Sequence, residues 1–374
     1  MDKLVKKLKI AFRVDASLQI GTGHVMRCLT LAFALKKLGG ECIFICRENQ
    51  GNLCNFISEK GFKVYSLICS PNNSDFKEKK LSYSDWLGCS WQLDAQQTEE
   101  VLAKNAVDLL IVDHYSLDKN WEEGLRPYYK KLMVIDDLAN REHVCDLLLD
   151  QTFGRTEEVY RSYLPNSAQI LIGAQFSLVK PEFAHLRQYS LERRKQPAFK
   201  KILITMGGVD QFNATAKVLD GLLLSQLPKD CKVTIVMGMQ APHLANIKAR
   251  ALTTPWQTDV KENVENMANL MADADLAIGA AGSTSWERCC LGLPTLLVVL
   301  ADNQLDISRA LAKNNAVINI GNPFSAEFCN LLADSINKII SSLDVLSSLS
   351  HVCRTITDGQ GVSLVTNKIQ SLLS

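Results

Sequence analysis

Short apolar runs alternate along this chain with stretches in which apolar residues recur every three or four positions. Runs of the first kind predict buried strands, and the second spacing predicts helices packed through one face. The strands expected in the first half are Leu8–Val14, Cys42–Cys46, Val64–Leu67, Leu109–Val112, Leu132–Ile135, Leu147–Leu149 and Ile170–Ile172. The second half repeats the pattern at Lys201–Thr205, Lys232–Val236, Leu276–Ile278, Thr295–Val299 and Ala316–Ile320, and Ala326–Ser341 and Gly361–Leu373 read as closing helices. Regular alternation of this kind predicts parallel sheets covered by helices on both faces. The expected fold is α/β, with two doubly wound Rossmann-like domains. Residues 1–185 form the first, 186–200 a charged helix end and linker, and 201–374 the second, whose last helix is free to pack back on the first. Residues 70–92 turn polar and read as a long surface loop, either a lid or an insertion without a role.

Ligands of doubly wound sheets bind outside the carboxyl ends of the strands. The residues just past the predicted strands are Asp15 to His24, Asp113-His114-Tyr115, Asp136-Asp137, Gly207-Gly208-Val209-Asp210, Gly279 to Thr284, and Asp302-Asn303-Gln304. Together they suggest a cleft to which each domain offers its carboxyl edge. In the first of these turns, Gly21 and Gly23 let the backbone approach a ligand closely, and His24 stands at the helix start as a base beside a place for a phosphate. The bland alternative is a tight turn with a first-turn histidine. A dinucleotide fingerprint is disfavoured, because Met26 replaces its third glycine and the acid after the next strand, Glu48, comes late.

The turn from Gly279 into Ser283-Thr284-Ser285-Trp286-Glu287 offers bare N–H groups and hydroxyls to a diphosphate, with Glu287 in reach of a ribose. Thr284-x-x-Glu287 is equally a capping box, in which the glutamate bonds back to the cap amide. Ser283 lacks the elbow of a serine nucleophile. Asp136-Asp137 suit a metal or a helix cap, His114 an ordinary hydrogen-bonded role, and His143 with Cys145 lack zinc spacing. Trp86, Trp91, Trp121 and Trp256 read as packing or loop residues.

Composition narrows the field. The chain has 374 residues, more than most single cores accommodate, with 47% hydrophobic and 22% charged residues. A net charge of +1 gives no electrostatic case for nucleic acid or an anionic membrane. The twelve cysteines form no Cys-x-x-Cys pair and sit mostly in apolar runs, as reduced buried thiols do. No run is long enough to span a bilayer or serve as a signal peptide. A cytoplasmic monomer without stable membrane insertion is the expectation.

The motifs Arg13-x-Asp15-Ala16-Ser17, Ile20-Gly21-x-Gly23-His24-Val25-x-Arg27-Cys28, Asp113-His114-Tyr115, Trp121-Glu122, Ile135-Asp136-Asp137-Leu138-Ala139, Pro181-Glu182-Phe183, Gly207-Gly208-Val209-Asp210, Gly282-Ser283-Thr284-Ser285-Trp286-Glu287 and Ala301-Asp302-Asn303-Gln304 follow one another in order. In this they resemble the UDP-2,4-diacetamido-2,4,6-trideoxy-β-L-altropyranose hydrolases of pseudaminic acid biosynthesis. The resemblance implies a GT-B architecture and cleavage of UDP from a sugar with inversion, using water and neither metal nor cofactor. It implies His24 as the base, Tyr115 and Asn303 at the sugar, and Gly282, Ser283, Thr284 and Glu287 around UDP. Asp15, Gly21, Gly23, Gly207 and Gly208 join the substrate-binding set, with Asp15 expected to orient His24. The chain departs from the pattern at Phe176 and Lys180, where a tyrosine and an arginine are expected. The rivals are a glycosyltransferase of the same fold, a UDP-N-acetylglucosamine 2-epimerase and a UDP-sugar-binding protein without chemistry.

Overall fold

The structure, a computed structural model, describes residues 7–68, 83–238 and 241–374. Residues 69–82, most of the polar segment read above as a lid or insertion, lie outside the described residues. The chain forms two compact units, one of residues up to 178 together with 362–374, the other of residues 179–361.

The first unit is laid down as β1 (Lys9–Val14), α1 (Gly23–Lys37), β2 (Glu41–Arg47), α2 (Cys54–Glu59), β3 (Lys63–Leu67), α3 (Trp91–Lys104), β4 (Val107–Asp113), α4 (Lys119–Gly124), β5 (Tyr129–Ile135), β6 (Leu147–Asp150) and β7 (Gln169–Ile172). Its seven strands are parallel, in the order β3-β2-β1-β4-β5-β6-β7. Successive side chains of a strand point to opposite faces, and β1 and β4 divide accordingly. Ile10, Phe12, Val14, Leu109 and Ile111 face a core with Val25, Cys28 and Leu31 of α1, whereas Ala11, Leu110 and Val112 face one with Leu102 and Trp121. Phe12 and Phe44 stack at 4.9 Å on the α1 side.

The second face encloses charge. Asp94 of α3 accepts from Arg13 Nη2 (2.6 Å), Arg47 Nη2 (2.6 Å) and Trp121 Nε1 (3.0 Å), all of them buried. Truncating one member of a buried ionic network leaves the others uncompensated, at a cost of roughly 3–5 kcal/mol. Asp94→Ala is therefore expected to lower the urea midpoint, with a loss of unfolding free energy of that order. An unchanged midpoint would show the two guanidinium groups to be satisfied without it.

The second unit runs α5 (Pro181–Arg193), β8 (Lys201–Thr205), α6 (Ala214–Leu224), β9 (Lys232–Met237), α7 (Leu244–Ala251), β10 (Gln257–Glu262), α8 (Met267–Asp273), β11 (Leu276–Ala280), α9 (Thr284–Cys290), β12 (Thr295–Val298), α10 (Leu305–Lys313), β13 (Ile318–Gly321), α11 (Phe328–Ser341) and α12 (Asp344–Cys353). The sheet is again parallel, in the order β10-β9-β8-β11-β12-β13. Strand β10 has no apolar run to announce it. It is an edge strand paired only with β9, and Gln257, Lys261 and Glu262 stay half or fully exposed.

The division of the chain falls after Leu178, ahead of α5, and residues 186–193 are helix. The charged run there is fixed by its arginines. Arg187 Nη2 donates to Arg354 O at 2.7 Å, and Arg194 donates to Ala274 O and Met271 O at the end of α8. The last helix, α13 (Gly361–Leu373), places Val362, Val365 and Ile369 in the α1-side core of the first unit.

Candidate active site

The turn between β1 and α1 is tied by Ser17, whose hydroxyl accepts from Gln19 N (3.2 Å) and Ile20 N (2.9 Å) and whose carbonyl accepts from Gly21 N (2.9 Å). Gly21 takes φ +77°, a left-handed conformation that an L side chain resists. Gly23 then opens α1, and His24 lies in its first turn.

His24 is the centre of a charged cluster on the α1 face. Its Nδ1 lies 2.6 Å from Asp113 Oδ1 at the end of β4. Asp113 also receives a fork from Arg27, with Nε to Oδ2 and Nη2 to Oδ1 both at 2.7 Å. Burial alone would raise the Asp113 pKa, but the charges of Arg27 and then His24 hold it far below the usual carboxylate range. A carboxylate that stays ionised accepts, so Nδ1 of His24 carries the ring proton. Arg27 Nη2, 3.4 Å from Nδ1, is too distant to compete. The Nε2 lone pair is left without a hydrogen bond among the described residues, on a side chain that keeps 11% of its surface in solvent.

Arg27 ties in a second acid, Asp137, through Nη1 at 2.5 Å. Asp137 Oδ2 also accepts the hydroxyl of Tyr115 at 3.0 Å. Burial, then the Asp137 charge, raises the Tyr115 pKa well above that of a free phenol, so the ring remains protonated. Tyr115 meets the His24 ring edge-on at 4.7 Å, and Trp86 stacks on Tyr115 at 5.6 Å. Behind Asp137, burial and then the Asp137 charge push the pKa of buried Asp150 up to about 6.

Two expectations about this region are corrected. The carboxylate that orients His24 is Asp113, not Asp15. The oxygens of Asp15 are taken up on the other face by Arg13 (2.6 and 2.9 Å) and Arg47 N (2.7 Å), with His114 Nε2 3.2 Å away. Asp136 and Asp137 act neither as a metal pair nor as helix caps. Asp136 bonds Arg141 Nη1 (2.7 Å), Ala139 N (2.8 Å) and Tyr160 OH (3.1 Å). His114 is the ordinary residue it was read as, buried and accepting Ser116 N at Nδ1.

In the second unit, site residues gather at the ends of three neighbouring strands, β8, β11 and β12. After β8, Gly207 turns the chain at φ +87°, Gly208 O accepts from Gly238 N, and Asp210 caps α6 through Ala214 N (2.8 Å) and Thr215 N (2.9 Å). After β12, Asn303 stands half-buried in a 3-10 turn, its side chain unbonded among the described residues.

The turn after β11 decides between the two readings of Glu287. Ser283 is the cap residue, Thr284 already helical, and no side chain bonds the cap. The capping box is not formed. Glu287 has no hydrogen bond among the described residues, and burial pushes its pKa up to about 7 against the charge of Lys180. Its carboxylate is free for a ligand, beside a half-buried Gly282 and Thr284 and an exposed Ser283. Lys180 Nζ also stands 3.9 Å from Glu182 Oε1.

Sequence reasoning passed over Asp113, Arg27 and Asp137 as a unit, although strand parity pointed to the first. Among the described residues no group of three His, Cys, Asp or Glu suits a metal ion, and no helix is long and apolar enough to cross a membrane.

Several known proteins are similar to this chain. Residues 201–340 match the glycosyltransferase family 28 C-terminal domain. The UDP-2,4-diacetamido-2,4,6-trideoxy-β-L-altropyranose hydrolase of Campylobacter jejuni is 24% identical over 82% of this chain and 97% of its own. The chain is similar to that hydrolase along most of its length. The spore coat polysaccharide biosynthesis protein SpsG of Bacillus subtilis is 25% identical over 98% of both chains. An uncharacterised protein of Methanocaldococcus jannaschii is 30% identical over 80% of this chain but 56% of its own length, so this chain spans little more than half of it. Among solved structures, MurG of Acinetobacter baumannii superposes with a TM-score of 0.67 at 16% identity, covering 98% of this chain and 99% of that one. The UDP-GlcNAc 2-epimerase of Neisseria meningitidis gives 0.64 at 13%, covering 98% and 100%. The fold is GT-B.

Proposed function

We propose that this chain hydrolyses a UDP-linked 2,4-diacetamido-2,4,6-trideoxyhexose to UDP and the free sugar, with inversion at C1. The observation that carries the proposal is the His24–Asp113 pair, which fixes the imidazole proton on Nδ1 and leaves Nε2 as an acceptor. In this reading a water molecule gives its proton to Nε2 while its oxygen forms a bond to C1. The bond from C1 to the β-phosphate oxygen breaks, and its electron pair leaves with UDP. Asp113 holds the imidazolium that results, a general-base contribution of roughly 10²–10⁴-fold.

UDP is a good leaving group, so stabilising the diphosphate charge takes the place of a strong acid. Gly282, Ser283 and Thr284 are assigned to that charge and Glu287 to the ribose, with Gly207 and Gly208 lining the neighbouring strand end. Tyr115 already gives its proton to Asp137, so toward the sugar it serves as an acceptor and an aromatic wall. Asn303 supplies an amide at the sugar, and Asp15 supports the turn from beneath.

A glycosyltransferase would use the same base on a sugar or lipid hydroxyl, and the family 28 match of residues 201–340 favours that as the second reading. The test is a panel of UDP-diacetamido sugars incubated with the purified protein and no acceptor. Stoichiometric UDP and a free sugar of inverted anomeric configuration, followed by NMR, are expected. UDP release only on addition of an acceptor would replace hydrolysis by transfer, and no UDP release from any member would remove both.

A further inference from the structure

Arg288, one turn into α9, is buried to 1% exposure, and every acceptor it reaches is neutral. Nη2 donates to Ala280 O (2.7 Å) and Ser285 Oγ (3.0 Å), Nη1 to Thr284 Oγ1 (3.3 Å), and Nε has no partner among the described residues. The buried arginines of the first unit contrast with it, since Arg13, Arg27 and Arg47 all sit on aspartates. Arg194, the other buried arginine of the second unit, donates to carbonyls at the end of α8, where the helix dipole is negative. Arg288 reaches back to the start of its own helix, where the dipole is positive. Burial pulls its pKa down to about 10, which still leaves it charged at neutral pH.

The local sequence is shaped around this cation. A Cβ on Gly279 would lie 2.3 Å from Nη1 and 3.1 Å from Thr205 O, so glycine there leaves the room that the guanidinium occupies. A buried charge whose hydrogen-bond partners are all neutral is costly to the fold, and the neighbouring Glu287 offsets that cost only in part. An anion arriving at the turn above it removes that cost. The contact with Thr284 adds direction, because a hydroxyl oxygen that accepts from Nη1 has its own proton free to donate outward.

We infer that Arg288 is the positioning cation of a diphosphate subsite, attracting the ligand's charge from beneath the 279–284 turn and fixing the Thr284 hydroxyl as a donor to it. This rests on the reading of that turn as the UDP-binding element. The chemistry recognised is the charge of the diphosphate, not the nucleoside.

Titration calorimetry with uridine, UMP and UDP separates this role from a structural one. Arg288→Met is expected to weaken UDP by roughly 10–100-fold, the scale of a lost charge-assisted contact. UMP should weaken less, and uridine by no more than about twofold. Arg288→Lys, which keeps the charge and loses the fork, should fall between. Thr284→Val, a near-isosteric change on a half-buried residue, should weaken UDP more than uridine, and it provides the test if Arg288→Met does not fold. Equal losses for all three ligands, or a Thr284→Val protein with unchanged UDP preference, would overturn the inference while leaving UDP binding intact. A wild-type protein that binds UDP no better than uridine would instead remove the UDP reading, and this inference with it.

Discussion

His24→Ala is expected to lose at least ~10²-fold, and up to ~10⁴-fold, in turnover of the UDP-sugar, while UDP affinity stays within about twofold. The split follows from where the side chain is attached. His24 stands in the first turn of α1 with Nδ1 committed to Asp113 and Nε2 uncommitted, so its removal takes away the proton acceptor and little else. The residues assigned to UDP belong to the second unit and make none of the hydrogen bonds recorded for His24. Stability should change little, because Asp113 keeps both bonds from Arg27. The measurement is single-turnover UDP release beside calorimetric UDP binding. Turnover reduced less than threefold would mean that another group takes the proton. A parallel collapse of UDP affinity would mean that the histidine binds the nucleotide and is no base.

Most of the architecture could be read from hydrophobic spacing, because a parallel strand buried on both faces has to be apolar throughout. The nine inner strands are of that kind or close to it, and of the four edge strands all but β10 keep a short apolar run. The exception, β10, is a polar edge strand whose pairing is backbone alone, and no side-chain pattern reveals it. The carboxyl-edge rule drew attention to the loops after β1, β4, β5, β8, β11 and β12, but proximity in sequence misassigned the partner of His24. Strand parity would have corrected that. Val14 faces α1, so Asp15 faces away; Leu109 and Ile111 face α1, so Asp113 does too and His114 does not. The Arg27–Asp137 contact links residues 110 positions apart, and it depends on which strands are neighbours. Glu287 shows a different limit. Thr284-x-x-Glu287 is a capping box by spacing, and only the position of the true cap, Ser283, and an unbonded carboxylate decide against it.

Asp113→Asn should be nearly as damaging as loss of the histidine, though every atom is replaced by one of similar size. The native carboxylate accepts from His24 Nδ1 and from both Arg27 nitrogens. An asparagine has one oxygen for these donors: at the Oδ1 place it keeps Nδ1 and Arg27 Nη2 but leaves the imidazolium without an anion, and at the Oδ2 place it keeps only Arg27 Nε. In the orientation that puts the oxygen on Arg27 Nε, the NH₂ donates to Nδ1 of His24. The imidazole proton then moves to Nε2, and the atom that should accept from water becomes a donor. Such a tautomer change removes roughly 10³–10⁴-fold of catalysis where a histidine base depends on an aspartate. Structural collapse is not the cause expected, because Arg27 retains Asp137 at 2.5 Å and no buried cation is left without a carboxylate. The checks are the turnover number, the UDP dissociation constant and the melting temperature of the variant. A large fall in the first with the other two nearly unchanged is the expected result. Turnover within threefold of wild type would show that His24 holds its tautomer without Asp113, and the base would have to be argued on other contacts.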